Sequence, residues 1–394
     1  MQHKGLSKSQ IIIMAITAGV CVANIYYNQP ILKDIAASFH VQEGAAGIIS
    51  VLSQAGYGMG LFFLTPLGDK VNRKNLIQFL QIGLILSLIG MTFIQSLSGI
   101  YFMSLLTGVL AIAAQVILPM AATLDPANKG KTVGIIFTGI LVGILSARVF
   151  SGYIALWLGW RYVYGISSIL VGISVFMVRF SLPDVKQEFS GHYGNLLQSI
   201  FVQVKRFPLL RRTALLGALV FGVFCSFWTT LTFHLSAPPF NYNTDTIGLF
   251  GILAIGAALL APIFGKLADK GNPARSQVIT VLIVLAGVLV VKVFPHSIYA
   301  FILSVLLLDI GVQATNVTNV ATIYTLDATA HSRINTVYMT TYFIGGALGT
   351  FAGVQCWRIG GWDMVTWQLL LWAVLALVLA LSSLKQKAVQ ATGA

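Results

Sequence analysis

Two ionisable residues lie deep inside long apolar runs of this 394-residue sequence, Arg148 and Asp309. A charge of either sign buried without a partner is costly in such surroundings, so each implies an ion pair or a wet cavity. Polar neighbours extend the pattern. Asp309, Gln313, Asn316 and Asn319 fall at i, i+4, i+7 and i+10, which is one face of a helix. Thr17, Cys21, Asn24 and Asn28 form a second stripe, with Tyr27 beside it. Ser104, Thr107 and Gln115 mark a third run, and Trp228, Thr229 and Thr230 a fourth. A carboxylate in a low-dielectric cavity holds a proton more readily than one in water, which makes Asp309 the first candidate for a proton-carrying group. An adjacent Arg148 would keep it ionised, and separating the two would switch its proton affinity; a permanent structural pair is the alternative. His234, near the end of its run, is a second titratable candidate. Tyr27, Trp228, Tyr338 and Tyr342 could stack on a solute that the Asn and Gln side chains hydrogen-bond, or could pack the bundle.

The elements that must carry these residues are membrane helices. Hydrophobic residues make up 57% of the chain and charged residues only 9%, against about 25% charged in soluble domains. Runs long enough to cross a bilayer lie near 11–32, 46–67, 76–96, 99–123, 132–156, 160–182, 213–236, 246–268, 277–295, 298–325, 334–356 and 363–384. They lack the alternation of barrel strands, so an all-α membrane protein of twelve transmembrane helices is expected. The first run follows Lys4 and Lys8 as a signal peptide would, but it is long enough to span and is read as a retained helix. The net charge of +13 sits in short loops, not on one face of a soluble helix, which argues against nucleic acid as a partner. Cys21, Cys225 and Cys356 are far apart and read as buried thiols. There is no metal-ligand spacing, no clustered catalytic set and no phosphate-binding glycine loop, so neither an enzyme, a metal nor ATP drive is expected.

With the N-terminus in the cytoplasm, nineteen of the 24 Lys and Arg residues fall on the inner side, and Lys33, Arg161, Lys292 and Arg358 on the outer. Both termini are therefore expected inside. The polar stretch 183–212 separates an N-terminal bundle, 1–182, from a C-terminal one, 213–394. The halves repeat. Thr65-Pro-Leu-Gly-Asp-Lys-Val-Asn72 recurs as Gly265-Lys-Leu-Ala-Asp-Lys-Gly-Asn272, Leu124-Asp125 as Leu326-Asp327, and Gly159-Trp160 as Gly361-Trp362. Gly139, Gly143 and Ala147 on one helix, and Gly345, Gly349 and Gly353 on another, give small-residue faces that permit close contact and could let the halves slide. A repeat on this scale predicts two pseudo-symmetric six-helix bundles around a solute pathway.

The loop after the second run carries a resemblance. Thr65-Pro-Leu-Gly-Asp-Lys-Val-Asn-Arg-Lys74 is similar to the Gly-x-Leu-Ala-Asp-Arg-x-Gly-Arg-Arg pattern of the major facilitator superfamily, in its twelve-helix drug/proton antiporter-like branch. Leu67, Asp69, Lys70, Arg73 and Lys74 fit; Thr65, Gly68 and Asn72 depart. The resemblance implies the major facilitator fold and a central cavity lined by helices 1, 4, 7 and 10. It implies a conformational latch in which Asp69, with Arg73 and Lys74, faces the start of helix 11 near Arg333; by symmetry Asp269 would face the start of helix 5 near Lys129 and Lys131. It further implies a monomer in the plasma membrane with no cofactor, a proton gradient as energy source, and export of a small-molecule substrate by antiport. Where the branch has Gly-Pro-x-x-Gly-Gly in helix 5, this chain has Ala147-Arg148-Val-Phe-Ser151-Gly152, and Ser104 replaces the arginine of helix 4. A solute importer or facilitator, for a sugar, amino acid or siderophore, is the competing expectation, ahead of a membrane-embedded enzyme.

Overall fold

The computed structural model describes residues 5–184, 192–253, 273–327 and 330–392. Among these, every regular element is helical: α1 (Lys8–Ala23), α2 (Asn28–Ser38), α3 (Glu43–Phe63), α4 (Arg73–Phe93), α5 (Leu97–Leu110), α6 (Ala113–Leu124), α7 (Lys129–Leu158), α8 (Trp160–Ser181), α9 (Tyr193–Arg206), α10 (Pro208–Ser236), α11 (Thr244–Leu253), α12 (Pro273–Val293), α13 (Ile298–Tyr324) and α14 (His331–Thr392). Helices satisfy their own backbone hydrogen bonds, which hydrocarbon cannot do for them. Ten spans among the described residues are long and apolar enough to cross a membrane. One of them is double. Within α14, Gly360 (φ −150°) and Gly361 (φ 59°) break the helical dihedrals and separate two runs. With α11 opening the run expected at 246–268, all twelve expected runs are represented, and the chain is an all-α membrane protein. The second copy of the loop motif, with Asp269, lies outside the described residues.

Local chemistry sets the helix ends. Ser7 Oγ accepts from Gln10 N and Gln10 Oε1 accepts from Ser7 N, a reciprocal cap that starts α1. Asn72, one of the departures in the loop motif, caps α4 by accepting from the backbone of Lys74 at 2.9 Å. The repeated Gly-Trp pair has a backbone reason. Gly159 ends α7 at φ 100°, matching the positive φ of Gly361, and this region disfavours any residue with a Cβ.

The chain forms two units. The first comprises Met1–Gln198 with Asn243–Gly251, the second Ser199–Tyr242 with Ile252–Ala394. In the first, α1 pairs with α7, α3 with α5, and α4 with α8. In the second, α10 pairs with α14 and α12 with α13. The small-residue faces are used inside each unit. A Cβ on Gly143 would lie 2.3 Å from the Gly19 carbonyl oxygen, and one on Gly349 would lie 2.3 Å from that of Gly222. The same device therefore seats α7 on α1 and α14 on α10, backbone against backbone. Between the spans, α9 buries Leu196, Ile200 and Gln203, and its last residue pairs with the loop after α13 through Arg206 Nη1 and Asp327 Oδ2 at 2.8 Å.

Candidate functional site

In the first unit the expected first span is broken. Pro30 has no N–H to donate, and its ring crowds the carbonyl of Tyr26, so a continuous helix is prevented there. The chain tightens into three-residue turns instead: Ile25 N donates to Val22 O, Tyr26 N to Ala23 O, and Gln29 N to Tyr26 O. Asparagines of the polar stripe support the break. Asn24 Nδ2 donates to the carbonyls of Val20 (2.9 Å) and Cys21 (3.3 Å), and its Oδ1 accepts from Ser167 Oγ at 2.8 Å. Asn28 Oδ1 accepts from Ser50 Oγ at 2.5 Å, while its Nδ2 donates to Ile25 O and Ser53 Oγ. A milder interruption at Ala111–Ile112 divides the fourth span into α5 and α6. Discontinuous spans expose backbone polar groups at depth, which is tolerated only where protein or a cavity receives them.

Arg148 sits against this break. It lies about 15 Å along α7 from Leu158, near mid-span, and is 1% exposed. Its Nε–H donates to Gln29 Oε1 at 2.8 Å, and its guanidinium carbon lies 5.4 Å from the ring centroid of Tyr26. Both contacts come from the broken segment, so the non-helical turn positions the receptor for the buried cation. Gln29 has no place in the stripes read from residue spacing; its sequence signal is a Gln between Asn28 and Pro30 within an apolar run. Tyr27 packs on Phe150 with centroids 5.6 Å apart. Gln115 is half-buried, and its Nε2 lies 3.4 Å from Tyr57 Oη. Further along α2, Asp34 Oδ2 accepts from Thr244 Oγ1 at 2.6 Å, a carboxylate to which residue spacing assigns no role.

The second unit gathers several expected residues into one network. Gln277 Nε2 donates to Asn319 Oδ1 (2.8 Å), Asn319 Nδ2 to Tyr338 Oη (3.3 Å), and Tyr338 Oη to Asn316 Oδ1 (2.9 Å). It ties α12, α13 and α14 together beneath the polar face of α13. Asp309 is on the same helix, about 17 Å from its start by helical rise, and is 2% exposed. Gln313 is half-buried one turn on. Tyr342 stacks on Phe221 with centroids 3.9 Å apart, and Trp228 and Thr229 are buried in α10. His234 stands apart from this network. Its ring stacks on Trp362 at 4.5 Å, with Phe301, Phe240 and Trp357 around it. Nε2 lies 2.8 Å from the Pro295 carbonyl; a carbonyl can only accept, so this nitrogen carries the proton.

In the loop after the second span, Asp69 Oδ1 pairs with Arg73 Nη2 at 3.1 Å, and Arg73 also donates to Gly68 O and to Thr123 Oγ1. Lys74 is buried, Arg333 is half-buried, and Lys131 is exposed beside α1. No group of three His, Cys, Asp or Glu residues able to hold a metal occurs among the described residues.

Duplicated bundles of apolar helices with polar groups held at mid-span define a class, the multi-pass membrane transporters. The sequence model of the Major Facilitator Superfamily matches residues 14–350. The uncharacterized transporter YgaY of Escherichia coli O157:H7 is 39% identical over 358 residues, 91% of each chain. A Helicobacter acinonychis protein named "Probable sugar efflux transporter" is 23% identical over 359 residues, 89% of each chain. Among solved structures, the POT family transporter PepTSo matches with a TM-score of 0.72 at 15% identity, over 98% of this chain and 99% of that one. The chain belongs to the Major Facilitator Superfamily. It is a transporter and not an enzyme; its surroundings are the lipid bilayer and its partner is a small-molecule substrate.

Proposed function

We propose that this transporter exports a small organic solute by proton-coupled antiport, through alternating access of an N-terminal bundle (1–182) and a C-terminal bundle (213–394) joined by a cytoplasmic linker (183–212). The observation that carries the reading is Asp309, a carboxyl group at mid-span, 2% exposed, on the helix whose Asn316 and Asn319 join the Gln277–Asn319–Tyr338–Asn316 network. A carboxyl group held there at a cost to the fold has a use as a proton carrier. In this reading Asp309 takes a proton from the outside and releases it within, and Arg148 keeps the first bundle polar. The residues Asn24, Asn28, Gln115, Trp228, Gln313 and Tyr342 lie along the pathway. Both termini lie in the cytoplasm, the protein works as a monomer in the plasma membrane, and the proton gradient is the energy source. The loop motif supports a place in the drug/proton antiporter branch. The sugar-efflux name of the Helicobacter acinonychis relative supports a second reading, in which the exported solute is a sugar.

Counterflow over a panel of drugs and sugars in proteoliposomes, with and without a pH gradient, tests this. Gradient-driven export is expected in the parent. In Asp309→Asn, downhill exchange is expected to persist while the gradient no longer accelerates it. Transport in Asp309→Asn with the parent's response to the gradient removes Asp309 from the mechanism.

A further inference from the structure

Between the first turns of α1 and α7 lies a cavity of about 360 Å³. Lys8 and Lys131 line it, with Asp125, Thr132, Ile12 and Ile135 also in its wall. Both lysines are exposed, and among the described residues neither forms an ion pair. Asp125 is the one carboxylate of the lining, against two lysines. It is buried, its Oδ2 accepts from Thr132 Oγ1 at 2.7 Å, and its Oδ1 accepts from Asn128 Nδ2. Two lysines against one carboxylate leave the lining net cationic.

Lys8 opens a helical segment long and apolar enough to cross a membrane, Lys8–Ser38, which puts the lysines near one end of the span, where headgroups lie. One to two turns further in, Ile12 and Ile16 are 54% and 45% exposed, and Ile135 is exposed as well. Bare isoleucines there face acyl chains. A soluble anion would match the lysines and leave the apolar wall unused; a zwitterionic lipid would bring its own cation to the two already present.

We infer that this cavity holds the phosphate headgroup of an anionic phospholipid between Lys8 and Lys131, with the acyl chains along Ile12, Ile16 and Ile135. Such a lipid would bridge α1 and α7 at one membrane face.

The test uses the full chain in detergent micelles, titrated with dioleoyl phosphatidylglycerol, dioleoyl phosphatidylcholine or sn-glycerol 3-phosphate, with bound molecules counted by native mass spectrometry. Phosphatidylglycerol is expected to bind the parent more tightly than phosphatidylcholine, and glycerol phosphate is expected not to compete. Each lysine near anionic lipid is worth about 5-fold in affinity, so Lys8→Gln with Lys131→Gln should weaken phosphatidylglycerol about 30-fold and leave phosphatidylcholine unchanged. Lys8→Arg with Lys131→Arg should bind as the parent does. Should the glutamine pair lose monodispersity, the single variants Lys8→Gln and Lys131→Gln decide, at about 5-fold each. Phosphatidylglycerol affinity that survives the glutamine changes, or falls equally with arginine, overturns the assignment. So does glycerol phosphate that competes as well as the lipid, which would make this a site for a free phosphate.

Discussion

Replacing Gly143 by alanine places a Cβ 2.3 Å from the Gly19 carbonyl oxygen and 2.6 Å from Gly19 Cα. Comfortable non-bonded separations begin near 3.5 Å, so α7 must retreat from α1 by about 1 Å. The opposing atoms are backbone, and no rotamer change relieves the contact. Overpacking of this kind costs about 1–3 kcal/mol, a factor of about 5 to 150 in the folded ratio. Gly134→Ala is the matched control. It lies on the same helix with nothing within 4 Å of its added Cβ, and there the helix preference of alanine over glycine, up to about 1 kcal/mol, acts alone. The two substitutions, identical in chemistry, should therefore have opposite signs. A thiol-reactive fluorophore reads the outcome during thermal unfolding in a Cys225→Ser, Cys356→Ser background, because Cys21 on α1 is buried close to the contact. Gly143→Ala is expected to react at lower temperature than the parent, and Gly134→Ala at the same or higher temperature. Equal midpoints for the two variants would refute the backbone-to-backbone seating of α1 and α7.

Two further expectations follow from the second unit. Tyr338→Phe removes the hydroxyl that accepts from Asn319 and donates to Asn316; membrane hydrogen bonds average about 0.6 kcal/mol with a maximum near 1.7, so denaturant unfolding in micelles should show a loss in the upper part of that range, and no loss would mean that the network contributes nothing to stability. Lys292 Nζ and Asp363 Oδ1 are 2.5 Å apart, but the aspartate side chain is 73% exposed; Lys292→Met is expected to cost less than about 1 kcal/mol and the cost should shrink with added salt, whereas a large salt-independent loss would show that the pair is shielded from solvent.

Much of this architecture is legible from residue order alone. The apolar runs mark the spans because hydrocarbon forces each to close its own hydrogen bonds. The recurrence of Gly159-Trp160 as Gly361-Trp362 announces two related halves, and the positive φ at both glycines explains why glycine stands at each. Arg148 and Asp309 stand out because charge is rare at that depth. The small-residue faces were visible too, although not their partner: helical spacing says which side of α7 is bare, and only packing shows that Gly19 fills it.

What the tertiary structure decided is how the polar groups are answered. Sequence periodicity treats residues 11–32 as one helix, while the folded chain turns at 24–27 and lets Asn24 and Asn28 serve carbonyls and the Ser167, Ser50 and Ser53 hydroxyls. Arg148 finds Gln29, 119 positions away in the chain. Asn316 and Asn319, read as one face of α13, turn out to meet Tyr338 on α14. The physical reason is common to all three. Burial cost is set by a residue's own type and shows in the sequence, but its relief comes from whichever group packing brings within about 3 Å, and that group has no fixed distance along the chain.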